Sequence, residues 1–250
     1  MRLRLPVAGL LAALLLTGCA QSVDPIERLG RKAAQRVHPP EAAYRRWGLA
    51  APIAPAPRPP ARTAARTAGP GLPPVVDHVR TRDKVVFLTY GDGAERDPRF
   101  VDMVRELRLP VSMFLTDSVV GPGYAHVARL RAVGATVQNH TLDHVALRGL
   151  PYAGQRAEIC GQQDKLHRRF GIRPRLLRPP YGRYDATTLR AAADCGVGAV
   201  VLGSAPGAHR LRPGDILAGF EEPDLTEATL RLLRRAQAEG LTPARLENYL

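Results

Sequence analysis

Aromatic residues are scarce in this chain: they make up 5% of its 250 residues, with Trp47 the single tryptophan. A core must therefore rest on Leu, Val, Ile and Ala, and an overall hydrophobic content of 45% is ordinary for a globular protein of one large domain or two small ones. Lysine is nearly absent. Lys32, Lys84 and Lys165 are its only occurrences, so the net charge of +13 is carried by arginine. A basic surface suits nucleic acid, anionic lipid or an acidic wall polymer. No basic helix, zinc-finger spacing or interleaved aromatic pattern accompanies the charge, which argues against nucleic acid as a partner. A glycine-rich turn after the first predicted strand is also missing, which argues against a dinucleotide-binding domain. The apolar run at Leu5–Leu16 is too short to span a bilayer comfortably.

What that run does fit is an export signal. Met1-Arg2-Leu3-Arg4 is a short basic start, Leu5 to Leu16 an apolar centre, and Leu16-Thr17-Gly18-Cys19 supplies small residues before a cut. The last four residues resemble the lipobox of bacterial lipoproteins. That resemblance implies a signal peptide at 1–18 and acylation of Cys19, which would place the protein on the extracytoplasmic face of the cell membrane, held by its lipid. Residues 19–81 read as anchor and linker, with a proline-alanine tract at Ala51–Pro60 acting as a semi-rigid spacer. A short amphipathic helix is expected within Ile26–Trp47, anchored by Tyr44 and Trp47. Cys160 and Cys195 are the remaining thiols, and the sequence favours two buried free cysteines over a bridge.

From residue 82 to 250 strand and helix patterns alternate. Strands are predicted at Lys84–Tyr90, Pro110–Thr116, Gly134–Gln138, Arg175–Arg178, Val197–Leu202 and Asp215–Ala218. Helices are predicted at Pro98–Arg108, Tyr124–Val133, Ala153–Phe170, Asp185–Cys195 (with Asp185 as its cap) and Leu225–Ala238. The alternation predicts an α/β fold with parallel strands, best read as a distorted, incomplete (β/α) barrel, with an open doubly wound sheet as the alternative.

In a parallel barrel, chemistry collects at the carboxyl ends of strands. Three such ends carry polar groups. The first strand runs into Thr89-Tyr90-Gly91-Asp92-Gly93, the third into His140-Thr141-Leu142-Asp143-His144, and the fourth into Arg178-Pro179-Pro180-Tyr181. If the second stretch enters a helical turn, its two imidazoles share a face. Asp92, His140 and His144 together make a carboxylate-and-two-histidine set suited to zinc or a similar divalent ion.

These stretches, in this order, resemble the motifs of the polysaccharide deacetylase family, carbohydrate esterase family four with its NodB-homology domain. The family motif T-F-D-D-G reads here Thr89-Tyr90-Gly91-Asp92-Gly93; H-[ST]-x-x-H is complete at His140, Thr141 and His144; R-x-P-[FY] is complete at Arg178 to Tyr181. The resemblance implies metal-dependent hydrolysis of N-acetyl or O-acetyl groups on a glycan such as peptidoglycan. Asp92, His140 and His144 would hold the metal, most simply Zn2+. Thr141 would orient His140 or the following turn, the Tyr181 backbone N–H would steady the developing oxyanion, and Arg178 would orient the catalytic base. A monomer is expected.

The departures from the pattern bear on activity. The base position is Gly91, which cannot accept a proton, so Arg178 loses its partner; Glu95 and Asp97 stand nearby in sequence. The family's C-terminal histidine motif is missing, and Phe220 stands near its place; His209 would substitute only if its loop folded inward. Two function classes follow: a deacetylase with impaired activity, or a lipid-anchored, metal-containing, glycan-binding pseudoenzyme. An envelope adaptor using the basic surface is a third.

Overall fold

The computed structural model describes residues 40–59, 69–91, 97–204, 210–218 and 224–250. Its compact unit begins at Pro39. The strands are β1 (Val75–Val76), β2 (Val85–Tyr90), β3 (Val111–Leu115), β4 (Thr136–Asn139), β5 (Leu176–Leu177), β6 (Ala199–Val201), β7 (Ile216–Leu217) and β8 (Thr242–Pro243). The α-helices are α1 (Pro40–Arg46), α2 (Pro98–Leu107), α3 (Asp117–Val120), α4 (Tyr124–Ala132), α5 (Tyr152–Phe170), α6 (Ala186–Asp194) and α7 (Leu225–Ala238).

The sheet runs β1-β6-β5-β4-β3-β2-β7, every neighbouring pair parallel, with β8 added beside the start of β2. Single bridges between His78 and Asp215 and between Ser204 and Leu217 bring the two ends of this path together. The result is the distorted, incomplete (β/α) barrel that the alternation predicts. β2 and β3 are buried at every residue. A parallel strand covered on both faces reads as a continuous apolar run, as Val85-Val86-Phe87-Leu88 does.

The two faces hold separate cores. Outside, Val86, Leu88, Tyr90, Met113 and Leu115 pack under α2, α4 and α7. On the other face, Phe87, Phe114, Leu176, Val201 and Ile216 pack with the C-terminal residues Leu246 and Tyr249. Glu247, in the same C-terminal turn, accepts hydrogen bonds from Ser112 Oγ (3.1 Å), Thr136 Oγ1 (2.5 Å) and Gln138 Nε2 (2.8 Å) near the starts of β3 and β4.

Helix ends follow local chemistry. Asp185 caps α6 through a reciprocal pair with Thr188: its carboxylate accepts the Thr188 N–H (2.9 Å) and its own N–H donates to the Thr188 hydroxyl (3.1 Å). Asp97 caps α2 by accepting from Arg99 N–H (2.9 Å), and Pro98 follows at the first helical position.

Two expectations are corrected here. Residues 40–59 lie against the domain: Ala43, Tyr44 and Leu49 join the outer core, and Trp47 donates to Glu106 (2.6 Å). The proline-alanine tract runs beside α7 and β8, with the carbonyls of Ala51 and Ala54 accepting from Gln237 Nε2 (2.7 Å) and Thr242 Oγ1 (2.6 Å). An extended proline-rich backbone makes no internal hydrogen bonds, so its carbonyls are free for such contacts. The helix expected within 26–47 covers Pro40–Arg46 among the described residues, and the signal and Cys19 lie outside them. The second correction concerns the thiols. Cys160 and Cys195 form a disulfide, with their Cα atoms 5.1 Å apart, because α5 and the end of α6 pack side by side across 35 residues of chain.

Candidate functional site

β4 delivers the first imidazole. His140 continues the face of Gln138, its N–H donates to Leu115 O (3.0 Å), and its carbonyl accepts from the Thr116 hydroxyl (2.9 Å). The ring is 7% exposed, and its Nδ1 lies 2.7 Å from the Arg178 carbonyl oxygen. A carbonyl only accepts, so Nδ1 carries the proton and Nε2 keeps its lone pair. Burial is the main cause that pulls the His140 pKa down to about 3, against the opposing effect of that carbonyl, so the ring is neutral in the folded protein at neutral pH.

The expected helical turn after His140 is not there. The two imidazoles are brought together by a loop in which Thr141 (φ 74°) and His144 (φ 57°) adopt left-handed backbone. For a β-branched threonine this conformation is strained and needs surrounding support. The support is visible. Asn139 Oδ1 accepts the Thr141 N–H (2.8 Å), the Thr141 hydroxyl accepts the His144 N–H (3.2 Å), and Glu158 on α5 accepts the N–H groups of Leu142 (3.1 Å) and Asp143 (2.9 Å). Thr141 thus orients the turn that follows it. Tyr181 (φ 58°) adds a third left-handed residue; its ring is 68% exposed and meets the His144 ring edge-on at 5.0 Å.

The loop sets His144 Nε2 3.2 Å from His140 Nε2. Two nitrogens bound to one ion at ~2.0–2.1 Å in a tetrahedral arrangement stand ~3.3 Å apart, so the pair fits a shared divalent metal. The Arg178 carbonyl behind His140 is the kind of outer partner that fixes the tautomer of a ligating imidazole. No group of three metal-ligating side chains occurs among the described residues, and Asp92, the third member expected, lies outside them.

Arg178 is the buried cation of the site, 8% exposed. Its Nη2 donates to Thr89 Oγ1 (2.7 Å), whose hydroxyl in turn donates to Leu217 O (2.7 Å), and its Cζ sits 4.1 Å over the Phe114 ring. Burial draws its pKa down to about 9, which still leaves it charged at neutral pH. Its Nε is buried and has no partner among the described residues. Gly91, at the position the resemblance assigns to the base, has nothing among the described residues within 4 Å of where a Cβ would stand. Asp97 does not replace that base: both its oxygens are committed, one to Arg99 and the other to Thr226 N–H (3.1 Å) and hydroxyl (2.5 Å) at the start of α7. Glu95, His209 and Phe220 lie outside the described residues.

The polysaccharide deacetylase family matches residues 78–200 of the chain. The chain belongs to the polysaccharide deacetylase family. A Streptomyces coelicolor protein of uncharacterised function is 60% identical over 208 residues, covering 76% of this chain and 82% of that one. A peptidoglycan-N-acetylglucosamine deacetylase of Bacillus cereus is 27% identical over 111 residues, 44% of this chain and 40% of its own length. Among solved structures, a CE4-family pseudoenzyme from Bacillus anthracis superposes with a TM-score of 0.64 at 16% identity, covering 71% of this chain and 69% of that one. A mutant of that pseudoenzyme with restored enzymatic activity gives the same TM-score.

Within this CE4 fold, His140 lies beside His144, the Arg178 carbonyl backs His140, and the Tyr181 ring meets His144. Residues the motifs do not name complete the setting. Phe114 is the platform under the guanidinium, Glu158 holds the histidine loop, and Gly203 lets Arg178 in. A Cβ at Gly203 would lie 2.9 Å from Arg178 Nη2 and 2.2 Å from the Ala218 Cβ. Only Gly203 carried a sequence signal: a glycine just past a strand end marks a close approach.

Proposed function

We propose that this polysaccharide deacetylase family member works outside the cytoplasm, held to the membrane by a lipid on Cys19, and engages a glycan such as peptidoglycan at a metal centre of His140, His144 and Asp92, with impaired deacetylation. The observation that carries the impairment is Arg178, whose guanidinium bonds the hydroxyl of Thr89 while Gly91 stands where the family carries its base. A divalent ion, with zinc the best match to two imidazoles and a carboxylate, supplies Lewis acidity toward an acetyl carbonyl when bound. The chain's own residues do the positioning. The Arg178 carbonyl fixes the His140 tautomer, the Thr141 turn aims His144, and the exposed Tyr181 ring offers a face to a sugar. No described side chain at the Gly91 position can take a proton, and general bases contribute ~10²–10⁴-fold. An amide suffers further where the leaving nitrogen needs an acid, since Phe220 stands near the place of the histidine that would supply it. That a pseudoenzyme exists on the same CE4 fold, and that a mutant of it regained activity, supports this reading.

The test is acetate release from N-acetylglucosamine oligomers and peptidoglycan, with and without added zinc or cobalt. Little or no amide hydrolysis is expected, with residual activity favouring activated acetyl esters. Gly91→Asp alone should restore little, and Gly91→Asp with Phe220→His should restore more. Robust metal-dependent acetate release by the unmodified protein would refute the impairment. Anchoring is tested separately by Cys19→Ser, which should lose fatty-acid label and leave the membrane fraction.

A further inference from the structure

The Arg178 side chain is a built half of an ion pair. It is a cation more than nine-tenths buried, in a setting where a charge is costly unless paired. Its partners are a neutral hydroxyl and an aromatic face, and its Nε has none among the described residues. The Thr89 hydroxyl that Nη2 reaches is two residues before Gly91. Gly91 follows directly on β2, and alternate residues of an extended chain share a face, so a side chain at 91 that continued the strand would turn toward the side from which Arg178 approaches Thr89. No atom of the described residues lies within 4 Å of a would-be Cβ at that point. Aspartate differs from glycine by a CH2–COO− fragment, and acetate is that fragment with one hydrogen added.

We propose that Gly91 and Arg178 frame a binding site for a small carboxylate anion, formate or acetate, which pairs with the guanidinium. A planar carboxylate matches the guanidinium fork and satisfies donors that a hydroxyl alone leaves unused. Burial favours the same outcome, because an anion entering beside a desolvated cation meets little screening. Formate and acetate are no larger than the fragment an aspartate side chain would place there, and benzoate is larger. The inference shares Gly91 and Arg178 with the function proposed above, but its test uses no substrate and no metal, so its failure leaves that function standing.

The experiment measures thermal unfolding of the metal-free full chain against formate, acetate, benzoate and chloride at constant ionic strength, together with line broadening of 13C-formate. Formate has three heavy atoms, so half-saturation at about 1 mM or weaker is expected. Formate and acetate should raise the melting temperature saturably, and benzoate and chloride should not. Gly91→Asp should abolish the response by placing a tethered carboxylate on Arg178. Gly91→Asn, the same shape without charge, should abolish it by occupying the space. Arg178→Met should also abolish it; should that variant fail to fold, the two Gly91 variants still decide. An equal response to formate in wild type and Gly91→Asp, or no saturable response in wild type, would overturn the proposal.

Discussion

Replacing Gly203 by alanine should destabilise the protein through a contact that no motif reveals. The new Cβ would lie 2.2 Å from the Ala218 Cβ and 2.9 Å from Arg178 Nη2. Non-bonded carbons prefer 3.5–4.0 Å, so the first pair must separate by roughly 1.3 Å or more. The guanidinium end can swing aside, but the Ala218 side cannot move freely. Its backbone N–H is bonded to Ser204 O at 2.9 Å, beside the bridge that brings the sheet ends together. Overpacking costs about 1–3 kcal/mol, and a lost hydrogen bond adds about 1 kcal/mol. At ~2–4 °C per kcal/mol for a domain of this size, the melting temperature should fall by roughly 5–15 °C. The decisive measurement is a double-mutant cycle followed by circular dichroism. Ala218→Gly removes the shorter contact, so the double variant should recover most of the loss even though Ala218→Gly alone is mildly destabilising. A Gly203→Ala protein that melts within a degree or two of wild type, or one that Ala218→Gly fails to rescue, would show that the close approach at the mouth is not as described.

Elemental analysis of protein loaded with one equivalent of zinc should show strong metal loss in His140→Ala and in His144→Ala, since each removes one of the two convergent nitrogens; unchanged stoichiometry would mean the pair holds no ion. In the metal-free protein, His140 should make stability fall on acidification. Its folded pKa of about 3 lies below the ordinary 6.5, so between those values the unfolded chain takes up a proton that the folded chain refuses. Urea midpoints from pH 8 to pH 4 should therefore drop more steeply in wild type than in His140→Asn, and equal slopes would contradict a buried neutral ring. Opening the Cys160–Cys195 bridge, which closes a loop of 35 residues, should cost about 4 kcal/mol on the chain-entropy account. Denaturation of Cys160→Ser/Cys195→Ser beside oxidised wild type checks this, and coincident curves would refute it.

Much of the fold was legible because its cause is local. Short apolar runs mark β2 and β3, helical spacing marks α2, α5 and α7, and Asp185 announces the start of α6. The motif residues were legible as a group for a related reason: parallel strands send their carboxyl ends to one rim, so polar clusters at three strand ends must meet there. The same reading failed at the histidine loop. There the backbone is decided by hydrogen bonds that its N–H groups donate to the side chains of Asn139, Thr141 and Glu158, the last of them 15 and 16 residues away in sequence.

The sequence by itself therefore determined the alternating α/β architecture and the placing of His140 and Arg178 at neighbouring strand ends, since both follow from residue type and short-range period, and its resemblance to a family motif marked Gly91 as standing where a carboxylate is expected. Tertiary structure alone decided that Cys160 meets Cys195, that residues 40–59 lie along the domain, that Asp97 is spent on two helix starts, and that Arg178 rests on Phe114 and Thr89 against Gly203. These are contacts between segments far apart in the chain. They depend on how helices settle on a curled sheet, a packing outcome that no local pattern encodes.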